Sequence, residues 1–141
     1  MLNKPTRIYH QSAVVPYLWY DDRLHIVLIT STNSGKWGIP KGIIEPHLSP
    51  AESAAKEALE EAGAIGQLSH TLICEYSYEK WGGTCQVQVY PLLVTDLLST
   101  WDESEFRERT TVPMQTAVDM VKPVLVSVLA TFRGYINGLQ S

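Results

Sequence analysis

Two β-rich runs, SAVVPYLWY from Ser12 and RLHIVLIT ending at Thr30, stand on either side of Asp21-Asp22, a pattern that predicts a β-hairpin. Pro16 has no backbone N–H to give to a ladder, so it predicts an edge position or a bulge for the first run. The polar stretch STNSGK reads as a loop, and WGIPKG as a short strand ending at Pro40 and Gly42. A helix follows from Ser49 to Gly63. LSHTLICEYSYEK and TCQVQVYPLLVTDLL then form a second hairpin around WGG, with the alternation in CQVQVY predicting one packed face and one polar face. The loop STWDESEFRE leads to a short strand near Arg109 to Met114, a short helix from about Gln115 to Val121, and a longer helix beginning near Pro123. The order β-β-β-α-β-β-β-α-α predicts an α/β fold, a mixed sheet with helices on both faces.

Length and composition narrow the function classes. A chain of 141 residues is expected to form one domain, 1–141, and 45% hydrophobic with 18% charged residues is ordinary globular composition. The formal net charge of -4 gives no overall basic footprint, so neither nucleic acid nor an anionic membrane is an expected partner. The N-terminal MLNKPTRIYHQS is polar and lacks the apolar core of a signal peptide. The longest apolar run, PVLVSVLA, belongs to an amphipathic helix, so the expected location is cytoplasmic. Cys74 and Cys85 fall in strands without metal-ligand spacing and read as reduced thiols, although they could face each other across the second hairpin. In the last helix Val124, Val126, Leu129, Phe132 and Ile136 are expected to close the core; monomer and homodimer both remain open.

The helix from Ser49 carries the chemistry. Ser49, Pro50 and Glu52 make a capping box with proline in the first turn, and Gly63 is a natural stop. At 100° per residue Ala51, Ala54, Ala55, Ala58, Leu59 and Ala62 gather on one face, so the helix can lie close against a sheet. Glu57, Glu60 and Glu61 crowd the other side, Glu57 and Glu61 nearest the border. Like charges at these spacings cost a few tenths of a kcal/mol each, and carboxylates in a last turn oppose the helix dipole by about 0.3–1 kcal/mol each. A divalent cation reverses the sign of every such penalty, and hard oxygen ligands suit Mg²⁺ or Mn²⁺. The competing reading is a solvated acidic face in which Lys56 pairs with Glu52 or Glu60.

From Gly42 to Ala64 the sequence resembles the Nudix box, G-x5-E-x7-R-E-U-x-E-E-x-G-U with U a bulky aliphatic residue. Gly42, Glu57, Glu60, Glu61 and Gly63 match; Leu48 stands in place of the first glutamate, Lys56 in place of the arginine, and Ala58 and Ala64 are smaller than the pattern's aliphatics. Trp37 to Gly42 resembles the W-x-x-P-K-G lead-in of the superfamily, with Glu45 at the position of the glutamate in GxxE. The resemblance implies a Nudix-type α/β/α sandwich and Mg²⁺- or Mn²⁺-dependent hydrolysis of a pyrophosphate bond in a nucleoside diphosphate derivative by water attack on phosphorus. It implies a cation shared by Glu57 and Glu61, with Glu60 a third ligand or base, Glu45 at or beside the metal, and a backbone carbonyl near Lys41-Gly42. Glu103 or Glu105 is a candidate distal base. Lys41, Arg107 and Arg109 are candidates for phosphate, and Tyr76, Tyr78 and Trp81 for stacking on a base; His47 is a weaker polar candidate.

The lead-in resembles the branch acting on diadenosine or diphosphoinositol polyphosphates, and the chain's acidity with few lysines near the box leans against the latter. Leu48 and Lys56 keep alive a different class of function, a catalytically silent Nudix fold that binds a nucleotide-like ligand and reports it to a partner. A third reading is an unrelated α/β domain with a merely solvated helix.

Overall fold

The computed structural model describes residues 7–140, so the first six residues of the polar N-terminal stretch lie outside the described residues. The elements in chain order are β1 (Ile8–Tyr20), β2 (Arg23–Thr30), β3 (Trp37–Gly38), β4 (Lys41–Ile43), α1 (Pro50–Ala62), β5 (Ala64–Leu68), β6 (Cys74–Lys80), β7 (Gly83–Leu97), β8 (Arg109–Pro113), α2 (Met114–Met120) and α3 (Pro123–Gln140). The strands form one mixed sheet along the path β3-β2-β1-β7-β5, with β4 also on β1, β6 on β7 and β8 on β2. The central pair, β1 and β7, is parallel and runs from Ile8 opposite Thr84 to Tyr17 opposite Leu93.

Both predicted hairpins form. Asp21 and Asp22 take positive φ (50° and 61°), as do Trp81 and Gly82 (57° and 69°), which is the backbone of a two-residue turn matched to strand twist. Alternation along β1 then builds the two layers: Val14 faces α1 among Ala51, Ala54, Ala58 and Ala62, whereas Ala13 and Val15 face Leu125, Leu129 and Phe132 of α3. Helices on opposite faces of a mixed sheet are the predicted sandwich. Leu129, Phe132 and Ile136 are buried as expected, while Val124 and Val126 are only partly so. Among the described residues no helix is long and apolar enough to cross a membrane.

Several expectations need correction. Pro16 is not at an edge: it lies in the central strand, paired with Leu92 on the β7 side. Val14 donates to Pro40 (3.2 Å), so by alternation the nitrogen of Pro16 faces the same side, in the seam where β4 ends at Ala13 and β2 begins at Tyr17. No ladder donor is lost there. The predicted WGIPKG strand is two short strands broken at Ile39-Pro40, and β5, absent from the predicted order, follows α1 directly and pairs with β7. Leu59, placed on the alanine face by its angle, is 42% exposed; Ser53 and Glu61 are buried instead. Cys74 and Cys85 are free and do not face each other, since Cys74 pairs with Val89 and Cys85 with Tyr78.

Candidate active site

Helix α1 starts and stops where its sequence dictates. The Ser49 hydroxyl accepts from the Glu52 N–H (3.1 Å) and the Glu52 carboxylate accepts from the Ser49 N–H (3.0 Å), a reciprocal cap of the kind worth about 1 kcal/mol. At the other end Gly63 takes φ 61° and closes the last carbonyls. No basic residue lies in the acidic last turn itself. Distant groups close that end. Arg109 Nη1 donates to the carbonyls of Ala62 (2.8 Å) and Leu98 (2.7 Å), its guanidinium lies 4.2 Å from the Trp101 ring centre, and Trp101 Nε1 donates to the Glu61 carbonyl (2.8 Å). A β-carbon on Gly63 would press into Trp101 and Arg109 (3.0–3.1 Å), so the close approach also needs glycine.

With its ends fixed, α1 aims Glu57 and Glu61 at β4. The Lys41 N–H donates to Glu61 Oε1 (3.1 Å), and Arg107 Nη2 donates to Glu61 Oε2 (3.2 Å). The Glu57 carboxyl lies over Gly42, in the space a β-carbon there would fill. Burial, then the charges of Glu61, Glu60 and Glu103, push Glu57 up to about 8. Burial pushes Glu61 up to about 7 against the pull of Arg107 and the Lys41 N–H. Two neighbouring carboxyl groups that resist sharing two negative charges are suited to a divalent cation, which favours both ionised forms.

The donor set fits a hard cation in a limited way. Among the described residues no group of three or more His, Cys, Asp or Glu side chains is gathered to hold a metal ion. The fit rests on the Glu57 and Glu61 carboxylates together with a backbone carbonyl. In β4, Gly42 is paired with Ser12, while the N–H of Lys41 points away from β1 to Glu61. The Lys41 carbonyl shares that open edge by strand geometry, so it is the carbonyl available. By the same alternation the Gly42 carbonyl turns toward β1, and its missing side chain leaves the space that the Glu57 carboxyl occupies.

The other predicted residues divide. Glu103 is brought in: its N–H donates to the Glu60 carbonyl (3.1 Å) and its carboxylate accepts from Arg107 Nε (2.7 Å). Glu60 and Glu45 are drawn toward Lys56, whose ammonium sits 3.6 Å and 2.9 Å from their carboxylates. Glu105 is exposed and lines a shallow depression with Phe106 and Glu108, apart from Glu57 and Glu61. His47 is exposed in the loop before α1.

A cleft of about 280 Å³ opens beside the two glutamates, lined by Lys41, Gly42, Glu57, Glu61, Tyr76, Tyr78, Trp81 and Arg107. It is also lined by residues that sequence reasoning missed: Lys36, Lys80, Lys122 and Gln11. Lys41 and Lys122 flank the Tyr78 ring, their ammonium groups 5.3 Å and 5.6 Å from its centre, and Lys80 stands 4.7 Å from that of Trp81. Tyr78 donates to Gln11 Oε1 (2.7 Å), which holds the ring in place. Burial lowers the pKa of Lys41. Lys80 had a local signal beside the WGG turn. Lys122 had none, because a bridge between Trp37 and Val121 carries it in from the far end of the chain. The acidity of the whole molecule is therefore not the electrostatics of the cleft.

The family profile described as "NUDIX domain" matches residues 9–132. Nudix hydrolase 21, chloroplastic, of Arabidopsis thaliana is 34% identical over 99 residues, 69% of this chain and 50% of that protein. Diphosphoinositol polyphosphate phosphohydrolase 2 of Rattus norvegicus is 34% identical over 80 residues, 56% of this chain and 43% of that protein. The chain spans about half the length of the curated relatives it matches. A C. elegans Ap4A hydrolase binary complex superposes with TM-score 0.78 at 18% identity, over 92% of this chain and 98% of that one. The NUDIX domain of Shewanella oneidensis NrtR complexed with ADP ribose gives TM-score 0.76 at 14% identity, over 92% and 89%.

Proposed function

The chain belongs to the NUDIX domain family, and from that premise we propose that it is a pyrophosphohydrolase acting on a nucleoside diphosphate derivative with Mg²⁺ or Mn²⁺. The observation that carries the reading is the Glu57–Glu61 pair, a half-buried and a buried carboxyl group one helical turn apart beside a cationic cleft. All the described elements pack on one sheet, which supports taking residues 1–141 as one such domain.

When bound, the cation supplies charge neutralisation on the phosphate oxygens and acidifies water. Glu57, Glu61 and the Lys41 carbonyl would hold it. Lys41, Lys80 and Lys122 bind the phosphates along the wall of the cleft, and Tyr76, Tyr78 and Trp81 offer faces to an aromatic or sugar end. In the reaction a water oxygen bonds to phosphorus, the phosphoanhydride P–O bond breaks, and the bridging oxygen leaves with the departing phosphate. Glu103 receives the water's proton; its N–H on the Glu60 carbonyl and the Arg107 guanidinium that it shares with Glu61 support that role.

Four lysines along the cleft suit more than two phosphates, so dinucleoside polyphosphates stand first, before nucleotide sugars and nucleotides. The same lysines, together with the names of the diphosphoinositol polyphosphate phosphohydrolases among the relatives, return that class to the candidates. The cytoplasm remains the proposed location, although two relatives are named chloroplastic and mitochondrial. The test is a panel of Ap4A, ADP-ribose, a diphosphoinositol polyphosphate and nucleoside triphosphates with Mg²⁺ and Mn²⁺, run with the wild type and Glu61→Gln. Metal-dependent turnover lost in Glu61→Gln supports the enzyme. Binding without turnover in the wild type supports the silent ligand-binding alternative.

A further inference from the structure

Lys56 occupies the box position at which the Nudix pattern has arginine, and its ammonium is engaged elsewhere. It is 46% exposed and sits 2.9 Å from Glu45 and 3.6 Å from Glu60. A guanidinium does meet Glu61, but it arrives from 46 residues further along the chain. Arg107 donates through Nη2 to Glu61 (3.2 Å), through Nε to Glu103 (2.7 Å) and through Nη1 to the Thr30 carbonyl (2.9 Å), with a side chain only 12% exposed.

The mounting of Arg107 is rigid. Thr30 ends β2, its N–H donates to the Glu108 carbonyl (3.0 Å), and its hydroxyl accepts from the Glu108 N–H (2.9 Å). The residue after Arg107 is thus fastened to the end of a central strand. From that base one planar fork reaches a carboxylate of α1 and a carboxylate of the loop before β8. Each edge of the guanidinium is already used, which leaves little of it to grip a phosphate. Lysine, a point charge without a fork, could satisfy one of these partners but could not fix the relative placement of both.

We propose that Arg107 is the positioning residue that orients Glu61 and Glu103 in this chain, the task that Lys56 is not placed to perform. The proposal rests on the reading in which Glu61 works at the floor of the cleft. Arg107 acts through the two carboxylates and does not itself touch the substrate.

Two measurements test it. The first is steady-state hydrolysis of Ap4A and ADP-ribose by the wild type, Arg107→Lys and Lys56→Met. Loss of orientation without loss of charge lowers kcat by about 10- to 100-fold in Arg107→Lys with KM within about threefold, and Lys56→Met costs less than Arg107→Lys. A rise in KM at near-normal kcat would make Arg107 a phosphate ligand and overturn the proposal, as would a larger loss in Lys56→Met. The second is a thermal-unfolding cycle on metal-free protein with Arg107→Lys, Arg107→Met, Glu61→Gln and the doubles. Replacing Arg107 should lower Tm at least twice as far in the wild type as in Glu61→Gln; equal losses would show that the two are not coupled. If the wild type turns over neither these two probes nor any other member of the substrate panel, the pyrophosphohydrolase reading fails, while the unfolding cycle still decides whether Arg107 and Glu61 are coupled.

Discussion

The Glu57 carboxyl occupies the space that a β-carbon on Gly42 would fill, with its Cγ 2.9 Å from that point. One residue of β4 and one of α1 are thereby made complementary: the strand lacks a side chain where the helix delivers a carboxylate. Gly42→Ala is expected to push Glu57 out of register with Glu61 and lower kcat by about 100-fold, as a displacement near 1 Å does at a reacting centre. Circular dichroism and Tm should show a folded protein, since the added methyl meets a side chain rather than backbone.

Metal-free protein should lose stability as pH rises. Glu57 moves up to about 8 and Glu61 to about 7 from an ordinary 4.5, so the folded state holds protons that the unfolded chain has already released. Their contribution is fully present below 4.5 and is lost as pH climbs through 7 to 8. Thermal unfolding in EDTA should give a lower Tm at pH 8.5 than at pH 5.5, and Glu57→Gln should flatten that slope. Added Mn²⁺ should raise Tm most at the higher pH, where both carboxyl groups are free to bind it.

Arg109 and Trp101 close the acidic end of α1 from outside the helix. Arg109→Ala removes the donor of two buried-side bonds and the cation facing the dipole, so unfolding in urea should show a loss of about 2 kcal/mol. Arg109→Lys keeps the charge and should recover part of that loss.

Lys122 and Lys80 should act on binding and not on the chemical step. Lys122→Met is expected to raise KM about three- to tenfold with kcat little changed, and the effect should grow with the number of phosphates in the substrate. Kinetics on ADP-ribose and Ap4A side by side check this.

Much of the fold was legible because local chemistry and tertiary demand agree. Asp21-Asp22 and WGG specify turns, Ser49 and Glu52 specify a cap, and the alanines of α1 specify a helix that packs tightly on a sheet. Pro16 misled because its cost depends on what lies opposite its nitrogen, and the seam between β4 and β2 is a property of three strands. Leu59 misled for a related reason: the angle on a helical wheel cannot say where the sheet ends. In the candidate site, helical spacing put Glu57 and Glu61 side by side and the box resemblance drew in Gly42, but the engagement of Arg107 with Glu61, Glu103 and Thr30 was not legible. Its partners lie 46, 4 and 77 residues away, joined only when β2 and α1 are assembled. Lys122 was hidden in the same way.

The central claim is that Glu57 and Glu61 together hold one divalent cation against a diphosphate. The most direct measurement is a crystal structure grown with Mn²⁺ and a non-hydrolysable diphosphate analogue, with anomalous scattering locating the metal. The account predicts one anomalous peak bonded to a carboxylate oxygen of each glutamate, the Lys41 carbonyl and the analogue, at roughly 2.0–2.3 Å. A map in which the analogue fills the cleft while neither glutamate carries a metal would contradict it.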